Sequence, residues 1–142
     1  MEKVHFVLVV DDDPPLRAVL ADQLAHAGFE VECASGVEEA LSRLEAHPFD
    51  VVLSDVRMAP RDGFWLLGAV RSRSRTPVVL MSSFASRETV ERARNEGASA
   101  ILSKPFQYDE LVHTLRDLGD GEDAVAATAT ARDTSGASED RL

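Results

Sequence analysis

Short apolar runs alternate with amphipathic stretches along most of the chain. The runs at residues 4–10, 30–33, 51–54, 78–81 and 100–102 are rich in valine, leucine and isoleucine and have the length of strands. Between them, Leu16, Val19, Leu20, Leu24 and Ala27 fall on one helical face, with Pro14 and Pro15 at its start and Gly28 at its stop. Val37, Leu41 and Leu44 form a second stripe, for which Ser35 is the expected cap and Glu38 the expected partner in a capping box. Further helices are predicted from Gly63 (Phe64, Leu67, Val70), from Ser86 (Val90, Ala93, with Gly97 as stop) and over 108–118 (Leu111, Leu115, Leu118). The order is strand then helix, five times over. Near-continuous apolar strands joined by helices predict an α/β, doubly wound fold, a parallel sheet with helices on both faces. In such sheets the polar residues that do chemistry collect beyond the carboxyl ends of the strands.

Those ends are polar here. The first run leads into Asp11, Asp12 and Asp13, the third into Asp55, the fourth into Ser82 and Ser83, and the fifth into Lys104 followed by Pro105. If the strands are neighbours, several carboxylates converge, and each like-charged pair at about 5 Å repels by about 3 kcal/mol at an effective dielectric near 20. Such a cluster invites a cation, and oxygen-only ligation suits Mg²⁺ better than zinc. The histidines His5, His26, His47 and His113 show no metal-ligand spacing and read as surface or half-buried residues, and Cys33 as a buried strand residue. Asp62-Gly63 reads as a turn before the third helix.

Composition narrows the setting. With 142 residues, 44% hydrophobic and 28% charged, a single domain is expected. The formal charge of −10 disfavours nucleic acid and anionic lipid as partners. No run approaches the roughly 20 residues that cross a bilayer, no signal peptide is visible and the lone cysteine suits a reducing compartment, so a cytoplasmic location is expected. After Leu118 the sequence turns to Ala, Thr, Ser, Gly and acidic residues, which divides the chain into a domain over 1–118 and a disordered acidic tail over 119–142.

Taken together, VLVVDDDP, VVLSDVRM, VVLMSS and ILSKPF resemble the receiver domain of bacterial two-component response regulators over about residues 3–118. The resemblance implies a flavodoxin-like (βα)5 sheet of order 2-1-3-4-5. It implies that Asp55 accepts a phosphoryl group from a sensor histidine kinase or phosphotransfer protein, and that Asp11, Asp12, Asp55 and the backbone carbonyl of Arg57 hold Mg²⁺, or Mn²⁺ in its place. Ser82 and Lys104 would then bind phosphoryl oxygens, with Asp13 outside the metal shell. The Lys104-Pro105 bond has two readings, a cis peptide that aims the lysine or a helix start before Tyr108. A downstream protein partner would read the fourth helix, fifth strand and fifth helix, and with no output domain visible after Leu118 a stand-alone receiver is expected rather than an enzyme. It would label itself from small phosphoryl donors and dephosphorylate itself.

The chain departs from the family pattern in four places. MAPRDG has Ala59 where a proline is usual, Pro60 one residue later, and Arg61 for an apolar residue. Ile101 replaces the usual aromatic switch residue, while Arg57 and Phe84 stand where side chains govern the phosphoryl lifetime. Two other readings compete. One is a receiver-like interaction module that never accepts phosphate. The other is a haloacid-dehalogenase-type phosphatase, whose motif VLVVDDD also satisfies but which Pro15 and the scarcity of acidic residues after Lys104 disfavour.

Overall fold

Side chains along a strand point alternately to opposite faces, so strands that are apolar throughout must be covered on both. A computed structural model of the chain describes residues 5–120. In it β1 (Phe6–Val10), β2 (Glu30–Ala34), β3 (Val51–Asp55), β4 (Val78–Ser82) and β5 (Ala100–Ser103) alternate with α1 (Pro14–His26), α2 (Val37–Ala46), α3 (Gly63–Arg71), α4 (Arg87–Asn95) and α5 (Tyr108–Gly119). All strand pairs are parallel, and the order is β2-β1-β3-β4-β5. Leu8, Val10, Val52, Leu80 and Ile101 pack against α2, α3 and α4 through Val37, Ala40, Phe64, Leu66, Leu67 and Ala93. Val7, Val9, Leu53, Met81 and Leu102 pack on the other face against Leu20 and Leu24 of α1 and Leu111 and Leu115 of α5. Among the described residues no helix is long and apolar enough to cross a membrane.

Strand ends differ from the apolar runs in a way that matters for the site. From β2 to β5 each strand extends one residue further, and in β3, β4 and β5 this is because backbone pairing continues through a polar position: Asp55 pairs with Met81 and Ser82 with Ser103. Hydrophobic patterning cannot register a polar residue whose backbone is still in the ladder. Cys33, on edge strand β2, is half-buried rather than fully buried, and burial pushes its thiol up.

Helix ends also depart from expectation in two places. The cap of α2 is Gly36, with no side-chain bond, and Ser35 instead donates from both its N–H (2.8 Å) and its Oγ (3.0 Å) to Glu39 Oε1. The helix starts one residue later than predicted, so the acidic partner shifts from Glu38 to Glu39, whose carboxyl the Ser35 N–H holds below its ordinary range. At the other end of the domain α5 runs through Gly119, and Asp120 Oδ1 lies 2.7 Å from Nε2 of His5. His5 is therefore buried, tying the start of β1 to the end of α5, where the sequence suggested a surface or half-buried role. Residues 1–4, and residues 121–142 of the expected tail, lie outside the described residues. Gly28 and Gly97, at φ of 101° and 99°, end α1 and α4 as predicted, in a conformation that suits glycine.

Candidate functional site

Asp11 directly follows β1, and its side chain is completely buried. Its N–H donates to the Ala34 carbonyl at the end of β2 (3.1 Å), and its Oδ1 accepts from the Asp13 N–H (2.9 Å). Its backbone carbonyl accepts from Arg17 Nη1 at 2.7 Å. Asp12 and Asp13 are exposed, Asp13 serving as the N-cap of α1. Asp55 is the last residue of β3 and only 8% exposed. The neighbouring ends of β1 and β3 bring ligand atoms of Asp11, Asp12 and Asp55 within 4.8 Å of one another, whereas Asp13 stands outside the group. No histidine enters such a group among the described residues. His47 instead stacks on Phe6 at 4.8 Å and pairs with Glu32 at 3.0 Å.

Lys104 faces this cluster from beyond β5, its Nζ 3.4 Å from Asp55 Oδ1 and 3.9 Å from Asp11 Oδ2. Its N–H donates to the Ser82 carbonyl (2.8 Å), tying the ends of β4 and β5 together. The Lys104-Pro105 peptide is cis, and α5 begins only at Tyr108 behind the cap Gln107, so the reading of Pro105 as a helix start is set aside. Ser82 is buried at the last position of β4, and its Oγ accepts from the Phe84 N–H at 3.1 Å. Arg57 and Phe84 are both exposed, Phe84 by 74%. Ile101 is 1% exposed, embedded in the edge strand β5 in one core cluster with Ala93 of α4.

One ammonium among three carboxylates leaves a negative excess. Burial raises the pKa of Asp11, as do the negative charges of Asp55 and Asp12, against the opposing Asp13 N–H bond and Lys104. Asp11 Oδ2 is buried with no hydrogen-bond partner. A buried carboxylate oxygen without a hydrogen bond, beside two further carboxylates, is a donor set that fits a hard divalent cation.

The loop after β3 is shaped by a contact that sequence reading did not single out. The Gly63 N–H donates to the Val56 carbonyl at 2.8 Å, and a methyl group on Gly63 would lie 2.4 Å from the Asp55 carbonyl oxygen. Asp62 is the N-cap of α3, accepting from the Trp65 N–H at 2.9 Å, and Arg61 lies 4.2 Å from the centre of the Trp65 ring. The altered MAPRDG loop therefore closes on α3, with a cis Ala59-Pro60 bond. A Gly63→Ala variant is expected to lose about 1–3 kcal/mol of stability, because the methyl meets backbone that cannot yield without moving the acceptor. Urea unfolding checks this, and an unchanged midpoint would contradict the contact. Arg17 and the close approach of Gly63 to Asp55 escaped sequence reading, because Arg17 does not break the helix pattern around it and Gly63 read only as a turn residue. A positive charge directly after Leu16 of the apolar stripe was the one available signal for Arg17.

Comparison with known proteins agrees with this geometry. Residues 7–116 match the family model of the response regulator receiver domain. The chain is 38% identical over 111 residues to the transcriptional regulatory protein PdtaR of Mycobacterium tuberculosis, covering 77% of this chain and 54% of that protein. It is 42% identical over 113 residues to the regulatory protein AtoC of Escherichia coli, covering 78% and 24%. The chain thus spans about half or less of the length of these relatives. Among solved structures, the receiver domain of the Francisella response regulator 1452 superposes with a TM-score of 0.79 at 30% identity, covering 82% of this chain and 98% of that one. The chemotaxis protein CheY4 of Vibrio cholerae superposes with a TM-score of 0.77 at 35% identity, covering 82% and 99%. With sheet order, acidic cluster and family match in agreement, this chain belongs to the response regulator receiver domains of two-component systems.

Proposed function

We propose that Asp55 accepts a phosphoryl group from a histidine kinase or phosphotransfer protein, with Mg²⁺, or Mn²⁺ in its place, held by Asp11, Asp12, Asp55 and the backbone carbonyl of Arg57. The observation that carries this reading is the convergence of three carboxylates within 4.8 Å, with Lys104 Nζ 3.4 Å from Asp55. When bound, Mg²⁺ neutralises charge on the phosphoryl oxygens and keeps donor and acceptor in line. An Asp55 carboxylate oxygen bonds to phosphorus as the phosphorus–nitrogen bond of the donor histidine breaks. The electron pair of that bond returns to the imidazole. Lys104 pairs with one phosphoryl oxygen, and the Ser82 hydroxyl donates to another. Small donors such as acetyl phosphate load the same residue, and water later removes the group. Arg57 and Phe84, large and exposed, slow that water.

The output is a changed protein-binding surface on α4, β5 and α5. Ile101 is locked in the interior, so the response passes mainly through the β4–α4 loop and α4. Ala93 is the one fully buried residue of α4, which leaves that helix lightly anchored. Beryllofluoride with Mg²⁺ stands in for the phosphoryl group and tests the switch by NMR. Amide shifts are expected at Ser82, Phe84 and Lys104 and onward along α4. Shifts confined to Asp11, Asp12 and Asp55 would contradict a switch.

A further inference from the structure

Arg17 takes no part in the proposed transfer, yet the geometry ties it to the acidic cluster. It is half-buried in the first turns of α1, with its Nη1 donating to the Asp11 carbonyl at 2.7 Å. That carbonyl belongs to the peptide joining Asp11 to Asp12, and because a peptide is planar its direction fixes how the Asp12 backbone leaves the turn. The Ala34 carbonyl holds the Asp11 N–H, and the Asp13 N–H holds Asp11 Oδ1. Arg17 closes the set. Asp11 is then fixed at its N–H, its carbonyl and one carboxylate oxygen, leaving Oδ2 without a hydrogen bond.

We propose that Arg17 is a positioning residue for the cation site. By holding the Asp11–Asp12 peptide plane, it aims both carboxylates at the space shared with Asp55. This rests on the reading of the acidic cluster as a Mg²⁺ site. A guanidinium acting only as a charge has the opposite effect, since a cation near the cluster weakens its pull on Mg²⁺ and removing it tightens binding. The sign of the change therefore separates the two roles. The fully buried residues of α1 are Leu20 and Leu24, so Arg17→Met leaves that packing intact and keeps a good helix former.

The test is calorimetric titration of MgCl₂ into the unphosphorylated full chain, with folding checked by circular dichroism. Wild type is expected to bind, and Arg17→Met to bind at least about tenfold more weakly, as for loss of other groups that orient metal ligands. Arg17→Lys, which keeps the charge but not the planar fork, is expected to be weakened too, and it decides the matter should the methionine variant not fold. Mg²⁺ binding equal to or tighter than wild type in either folded variant overturns the positioning role and leaves the site standing. A wild-type chain that binds no Mg²⁺ overturns the site and Arg17's role together.

Discussion

Replacing Lys104 with methionine is expected to slow phosphoryl uptake from acetyl phosphate by about a hundredfold or more, while Mg²⁺ binds the unphosphorylated chain more tightly than in wild type. The two effects have opposite signs because the ammonium serves different partners at different times. Before transfer, its Nζ lies 3.4 Å from Asp55 and 3.9 Å from Asp11, where its positive charge competes with a divalent cation. During transfer, negative charge collects on the phosphoryl oxygens, and an ammonium already positioned beside Asp55 stabilises it where it forms. Labelling rates followed by intact mass, with Mg²⁺ affinity measured by calorimetry, check both halves. Uptake at the wild-type rate would remove Lys104 from the chemistry, and weaker Mg²⁺ binding would show that its contribution before transfer is not charge competition.

An Asp11→Asn variant should be more stable than wild type at neutral pH without divalent cations, by about 1–3 kcal/mol, the net of relieved burial and repulsion from Asp55 and Asp12 over the lost attraction to Lys104. Asparagine can still accept the Asp13 N–H bond at Oδ1, and it replaces Oδ2, which has no hydrogen bond, with a neutral donor facing acidic neighbours. The pH dependence follows from linkage. Burial foremost, with the charges of Asp55 and Asp12, raises the folded-state pKa of Asp11 above its ordinary 3.8. The folded chain therefore holds this proton more tightly than the unfolded chain. The stabilisation from Asp11 is fully present below 3.8 and is lost as pH rises through the folded value. The advantage of the asparagine variant should thus be small in acid and grow toward neutrality. Added Mg²⁺ should shrink or reverse it, because the ion stabilises only the chain that binds it. Urea unfolding at several pH values, with and without Mg²⁺, measures this, and an advantage that does not change with pH would contradict it.

Much of the fold was legible in sequence because its strands and helices have unambiguous periods. Val7 to Val10 and Val51 to Leu53 read as buried strands and are completely buried. The stops at Gly28 and Gly97 were visible because a left-handed residue after a helix favours glycine. Asp11, Asp12, Asp55 and Lys104 were legible as a set because each follows an apolar run, and parallel strands place all such ends on one side of the sheet. Other features depend on partners far away in the chain. The His5–Asp120 contact joins residues 115 positions apart, and Asp120 lay in a segment that composition alone marked as tail. The Gly63 approach to Asp55 and the Arg17 side-chain bond to Asp11 both end on backbone carbonyls. No side-chain pattern encodes them. The Ser35 cap was misplaced by one residue because serine binds an acidic residue of the first turn, Glu39 in place of Glu38, from outside the helix.

We read Asp55, served by the acidic cluster and Lys104, as a Mg²⁺-dependent phosphoryl acceptor. Intact-mass spectrometry of the chain after incubation with acetyl phosphate tests it most directly. One added phosphoryl group is expected with Mg²⁺ or Mn²⁺, none when the divalent cation is chelated, and none in Asp55→Asn or Asp12→Ala. Labelling of Asp55→Asn to the wild-type level, or of wild type equally well without a divalent cation, would contradict it.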